Sequence, residues 1–124
     1  MSTQDANKLV IVISHNEHDD RTVAAFTTAK TALSMGMHVA IYLLADGVEM
    51  SRELGCDFAD DTYPETPLLD LITSYFQQGG ILWYSTSCFR KRGFQKTETF
   101  EKAIAADARP MLEWIKAGAT VLSV

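Results

Sequence analysis

The chain has 124 residues, 47% of them hydrophobic, and a formal net charge of −5. That length suits a single domain that buries roughly two-thirds of its unfolded surface, so folding needs neither disulfides nor metal, and the apolar content excludes a disordered chain. The acidic balance argues against a nucleic-acid partner or an anionic membrane surface, and no stretch approaches the ~20 apolar residues of a membrane helix.

Residues 1–7 are polar and expected to fray. Residues 8–14 (KLVIVIS) form a continuous apolar run, too short for a helix and rich in β-branched side chains. Such a run reads as a strand buried on both faces. It is also too short for a signal-peptide core, and no small-residue cleavage site follows, so the expected location is the cytoplasm. Asp19 or Asp20 caps the next helix by accepting from its orphan N–H groups, and Val23, Phe26, Ala29 and Leu33 recur at helical spacing. Gly36 stops that helix, because glycine tolerates the left-handed backbone required there.

Residues 38–44 (HVAIYLL) predict a second buried strand, followed by the turn signal Asp46-Gly47. Residues 51–66 carry Asp57, Asp60, Asp61 and Pro64 and read as a surface loop, with one helical turn near 50–54. Thr66 and Pro67 open a helix as N-cap and first residue. Leu68, Leu71, Ile72, Tyr75 and Phe76 give it a clear apolar stripe, and Gly79-Gly80 end it. Residues 81–85 (ILWYS) predict a third strand, with a short helix around 88–91. Residues 99–106 are ambiguous and can hold a short strand. Residues 107–117 form a helix with Pro110 in its first turn, Gly118 ends it, and 119–124 (ATVLSV) form the last strand.

Strands alternating with helices imply βαβ crossovers. The fold class is α/β: a three-layer α/β/α sandwich around a mainly parallel sheet of four to five strands. In such sheets chemistry gathers beyond the carboxyl ends of the strands. That rule selects residues 14–20, 45–49 and 85–93.

Cys88 is the most informative residue in these loops. A helix start and the neighbouring Arg90, Lys91 and Arg92 favour the thiolate, the reactive form of cysteine. The competing reading is a small packing residue. Cys56 sits between Gly55 and Asp57 and reads as incidental, and the two cysteines do not form a disulfide framework. His15 and His18 cluster with Asp19 and Asp20, but their spacing matches no strong metal motif, and the acids are better explained as caps. No metal is expected. His15 remains a candidate acid/base partner for Cys88 across the sheet edge. Asp46 lies in another of the selected loops, and Arg90 and Arg92 can hold an anion or form a solvated basic turn. Ser85, His15, Asp46, Arg90 and Arg92 are therefore the candidate binding residues around Cys88. The first βα turn, SHNEHDD, has no glycine, which disfavours dinucleotide and P-loop cofactors, and no GxSxG elbow is present. No cofactor is expected.

The opening KLVIVIS, the YLLADGV segment, GGILWYSTSCFRKRG and the closing ARPMLEWIKAGATVLSV occur in an order that resembles the DsrE/DsrF-like family of YchN-like and TusBCD-related proteins. The resemblance spans nearly the whole chain. It implies a three-layer fold, a trimeric or hexameric homo-oligomer, and sulfur carried as a cysteine persulfide between donor and acceptor proteins. The relay cysteine of that family falls eight residues before the glycine matching Gly93, where this chain has Ser85. A second frequent cysteine falls five residues before it, which is Cys88. Two functions follow: sulfur handling on Cys88, or a non-catalytic oligomeric module that binds a small ligand or partner at the same edge. Phe58, Tyr63, Phe89 and Phe94 are expected to fill subunit interfaces.

Overall fold

The computed structural model describes residues 7–53, 56 and 68–124. Strands β1 (Lys8–Ile13), β2 (His38–Leu43), β3 (Ile81–Ser85), β4 (Ile104–Ala106) and β5 (Thr120–Ser123) form one sheet in the order β4-β3-β2-β1-β5. Every neighbouring pair runs parallel. The helices are α1 (Asp20–Ser34), α2 (Leu68–Gln77), α3 (Thr86–Lys91) and α4 (Arg109–Lys116).

The continuous apolar runs follow from burial on both faces. Side chains alternate along each strand, and the parallel register stacks like on like. Leu9, Ile11 and Ile13 align with Val39, Ile41 and Leu43, and then with Leu82 and Tyr84, beneath α1 and α2. Ala40, Tyr42 and Trp83 face the opposite way, where α4 covers them. Phe26 of α1 meets Tyr75 of α2 edge-on, with centroids 5.8 Å apart. On the second face Trp114 meets Trp83 edge-on at 5.5 Å. Burying each such aromatic contributes roughly 1.5–3 kcal/mol.

Helix α1 starts as the sequence dictates: the Asp19 carboxylate accepts from the Arg21 amide at 2.9 Å. It stops at Gly36, whose φ of 85° is in the left-handed region. The ambiguous stretch before α4 contains β4. The Asp46-Gly47 turn is instead the start of a 3-10 segment, Ala45–Ser51, earlier than the helical turn expected at 50–54. Gly47 packs against β1 so closely that a Cβ there would stand 2.2 Å from the Ile13 carbonyl oxygen.

Two expectations are corrected. Ser51 and Cys56 are fully buried rather than lying in a surface loop. The 3-10 segment returns the chain to the core, where the Ser51 hydroxyl donates to the Val48 carbonyl at 2.7 Å and the Cys56 thiol to the Met50 carbonyl at 3.7 Å. The remaining loop positions, with the Thr66-Pro67 helix start, lie outside the described residues. Phe89 does not present a free face: it is buried between Tyr84 and Phe94, while Phe94 is partly buried and has the Arg52 guanidinium 4.2 Å from its ring centroid. Phe58 and Tyr63 are outside the described residues. Among the described residues no helix is long and apolar enough to cross a membrane.

Candidate functional site

Strand β3 runs straight into α3. Ser85, the last residue of the strand, is also the N-cap, and its Oγ accepts from the Cys88 amide at 3.3 Å. Serine suits this position because its short hydroxyl reaches back to an orphan N–H of the first turn. The Ser87 hydroxyl lies 3.3 Å from the Ser85 hydroxyl. Cys88 is partly exposed, and neither cysteine is in a disulfide. Its thiol is pulled below its ordinary pKa, first by the Ser85 hydroxyl, with help from the Ala45 backbone, the Arg92 charge and Ser87, against the opposing effect of partial burial. Hydrogen bonds and a nearby cation both favour the thiolate.

Ala45 reaches this thiol because β2 ends just before it and α3 packs against the 3-10 segment. Its φ of 49° lies in the left-handed region, which is unfavourable for a residue with a Cβ.

Arg92 follows Cys88 by one helical turn. It donates to the Cys88 carbonyl at 3.2 Å and to the Asp46 carboxylate at 2.7 Å, tying α3 to the 3-10 segment. Arg90 and Arg92 thus separate in role. Arg90 is exposed and forms no ion pair among the described residues.

A cavity of about 870 Å³ opens beside the sulfur, lined among others by Tyr42, Leu44, Ser85, Cys88, Arg90 and Asp107. Tyr42 escaped the sequence reading because it sits inside an apolar strand. Its phenol is pushed above its ordinary pKa mainly by burial, with the Ser85 hydroxyl opposing and the charges of Asp107 and Cys88 adding. It therefore stays protonated as a hydrogen-bond donor near neutral pH. Alternation along β2 was the available signal: Tyr42 and Ala40 face α4, whereas Ile41 and Leu43 face α1 and α2.

His15 is drawn elsewhere. Its Nδ1 lies 3.6 Å from Asp19 Oδ2 and 3.4 Å from Arg21 Nη2, and it does not line the cavity beside Cys88. Glu17 and Glu49, also missed in the sequence, form a carboxyl pair. Glu17 Oε2 is buried with no donor among the described residues, while Glu49 is pushed up by burial and by the Glu17 carboxyl. Two facing carboxyl groups bond only when one holds a proton. No group of three or more metal-ligating side chains occurs among the described residues.

With this geometry in view, the model of the DsrE/DsrF-like family matches residues 7–124. The chain belongs to the DsrE/DsrF-like family. An uncharacterised protein of Methanopyrus kandleri is 26% identical over 116 residues, covering 92% of this chain and 91% of its own length. Among solved structures, BT1422 of Bacteroides thetaiotaomicron, a conserved protein of unknown function, superposes with a TM-score of 0.72 at 20% identity, with 100% of both chains covered. MTH1491 of Methanobacterium thermoautotrophicum, also of unknown function, has a TM-score of 0.73 at 12% identity, covering 94% of this chain and 98% of its own. YchN of E. coli has a TM-score of 0.64 at 13% identity, covering 94% and 99%. These structural likenesses establish the shared fold. Within this DsrE/DsrF-like chain, the thiol-bearing loop is the β3–α3 junction at the carboxyl edge of the sheet.

Proposed function

We propose that this DsrE/DsrF-like protein handles sulfane sulfur on Cys88 in the cytoplasm and passes it to a partner. The observation that carries the reading is the environment of Cys88: a partly exposed thiol at a cavity mouth, shifted toward thiolate by Ser85, the Ala45 backbone and Arg92. In the loading step the Cys88 thiolate attacks the outer sulfur of a donor persulfide, R–S–SH. The new bond joins Cys88 to that sulfur, the donor S–S bond breaks, and its electron pair leaves on R–S⁻. The outer sulfur keeps its proton, so Cys88 becomes a persulfide with no net oxidation. An acceptor thiolate then attacks the outer sulfur and Cys88 leaves as thiolate. Ser85 stands where relay members are expected to carry their cysteine. In this chain its hydroxyl supports Cys88 instead.

Intact mass after exposure to a persulfide donor tests the reading. Wild type should gain one sulfur atom per chain and Cys88→Ala none. The second reading, a non-catalytic binding module, is favoured by the use of Ser85 as a helix cap. A wild type that stays unmodified would select it.

The exposed apolar side chains Ile104, Leu112, Ile115, Val121 and Leu122 support assembly as a homo-oligomer, a trimer or hexamer. A monomer mass by light scattering at micromolar protein would reject this.

A further inference from the structure

We infer that the cavity beside Cys88 admits a small organic persulfide carrying a carboxylate, with Arg90 as the group that receives the anion. This inference names a substrate class for the proposed sulfur-acceptor site and rests on that reading. Its grounds are the shape and charge of the cavity. A volume of about 870 Å³ accommodates a small-molecule ligand. Part of its wall is apolar, built from Leu44 and the short side chains of Ala105, Ala106 and Ala108, which leave room for an aliphatic body.

Arg90 and Arg109 line the cavity, Arg92 lies near Cys88 outside its wall, and the three are not equivalent. Arg92 is committed to Asp46 and the Cys88 carbonyl. Arg109 is held 3.6 Å from the Asp107 carboxylate. Arg90 also lines the cavity and has no carboxylate partner among the described residues, so its guanidinium is the least committed of the three. The chain as a whole is acidic, at −5, so an anion gains nothing from the general field and must be selected locally. Planar guanidinium donors match a carboxylate in a bidentate arrangement. A donor with its sulfane sulfur at one end and a carboxylate at the other would span from Cys88 to Arg90.

Three persulfides of similar length separate the possibilities: those of mercaptopropionate, mercaptoethanol and cysteamine, whose end groups away from the sulfur are anionic, neutral and cationic. The rate of sulfur gain at Cys88 is read by quenched intact mass spectrometry. At low salt the anionic donor should load wild type about fivefold faster than the neutral one and faster still than the cationic one. Raising the ionic strength should shrink that preference. Arg90→Gln should bring the anionic-to-neutral ratio close to one, and Arg90→Lys should restore part of it. Equal loading by all three donors, or an unchanged ratio in Arg90→Gln, overturns this inference while leaving Cys88 as a sulfur acceptor. If none of the three loads Cys88, the sulfur-acceptor reading fails and this inference falls with it.

Discussion

Cys56 and Cys88 carry the same functional group into opposite surroundings. Cys56 lies in the core with its thiol on the Met50 carbonyl, and burial pushes its pKa far up, with the Glu17 charge adding to the effect. Cys88 lies at the sheet's carboxyl edge, partly open, among hydroxyls, a backbone contact and Arg92, and its pKa moves down. A carbonyl can only accept, so it supports the neutral thiol, whereas the groups around Cys88 supply donors and positive charge for the thiolate. Residue type therefore says little about reactivity here; what matters is whether neighbouring dipoles present donors or acceptors to the sulfur.

The harshest way to break the contrast is Gly47→Ala. The added Cβ would collide with the Ile13 carbonyl oxygen and force the 3-10 segment off β1. That segment supplies both the Met50 carbonyl for Cys56 and the Ala45 backbone for Cys88. A loss of about 3 kcal/mol in stability is expected from chemical denaturation, and Cys56 should become open to alkylation.

Linkage gives the two thiols opposite signs. Cys56 has a raised folded pKa, so its contribution is complete below the ordinary thiol pKa and is lost as pH rises beyond it. Above about pH 9, stability should fall by up to ~1.4 kcal/mol per pH unit on its account. Cys56→Ala should remove that slope. Cys88 has a lowered folded pKa, so it adds stability above the ordinary thiol pKa and loses it as pH falls through the folded value. Cys88→Ala should therefore remove a rise in stability between the lowered folded pKa and the ordinary thiol pKa, and leave the slope above about pH 9 unchanged. Denaturant midpoints measured from pH 7 to 10 would check both signs, and equal slopes in all three proteins would contradict the assigned environments.

Ser85→Ala acts on one side only. It removes the α3 N-cap and the largest influence lowering the Cys88 pKa. A loss of about 1 kcal/mol is expected, with a several-fold slower alkylation of Cys88 near neutral pH and no change at Cys56. Arg92→Gln should have the smallest effect, slowing Cys88 about twofold at low salt and less at high salt, because the charge acts through solvent.

Much of the architecture was legible because apolar patterning and burial agree. KLVIVI and HVAIYL are unbroken because helices cover both faces of the sheet, and Asp19 and Gly36 mark the two ends of α1. Cys88 and Ser85 were legible as a pair because a strand end and a helix start meet there. The separation of Arg90 from Arg92 was also within reach, since Arg92 stands i,i+4 from Cys88 on the same helix face, whereas Arg90 at i,i+2 does not. What escaped depends on long-range packing. The charged neighbours of Cys56 concealed a residue that the 3-10 segment draws inward. Phe89 and Phe94 look like loop aromatics until the Arg52 guanidinium and Tyr84 close around them. The Glu17–Glu49 pair joins two loops that are distant in sequence, and no local pattern announces it.

The central question is whether Cys88 is a stabilised thiolate in the folded protein. A pH series of iodoacetamide alkylation rates, read separately at each cysteine by peptide mass spectrometry, measures this directly. The expected result is a Cys88 profile that rises with a midpoint below the ~8.5 of a free cysteine, while Cys56 stays unmodified until the protein unfolds. A Cys88 that remains unmodified in the folded protein while Cys56 reacts would contradict the account and make Cys88 a packing residue.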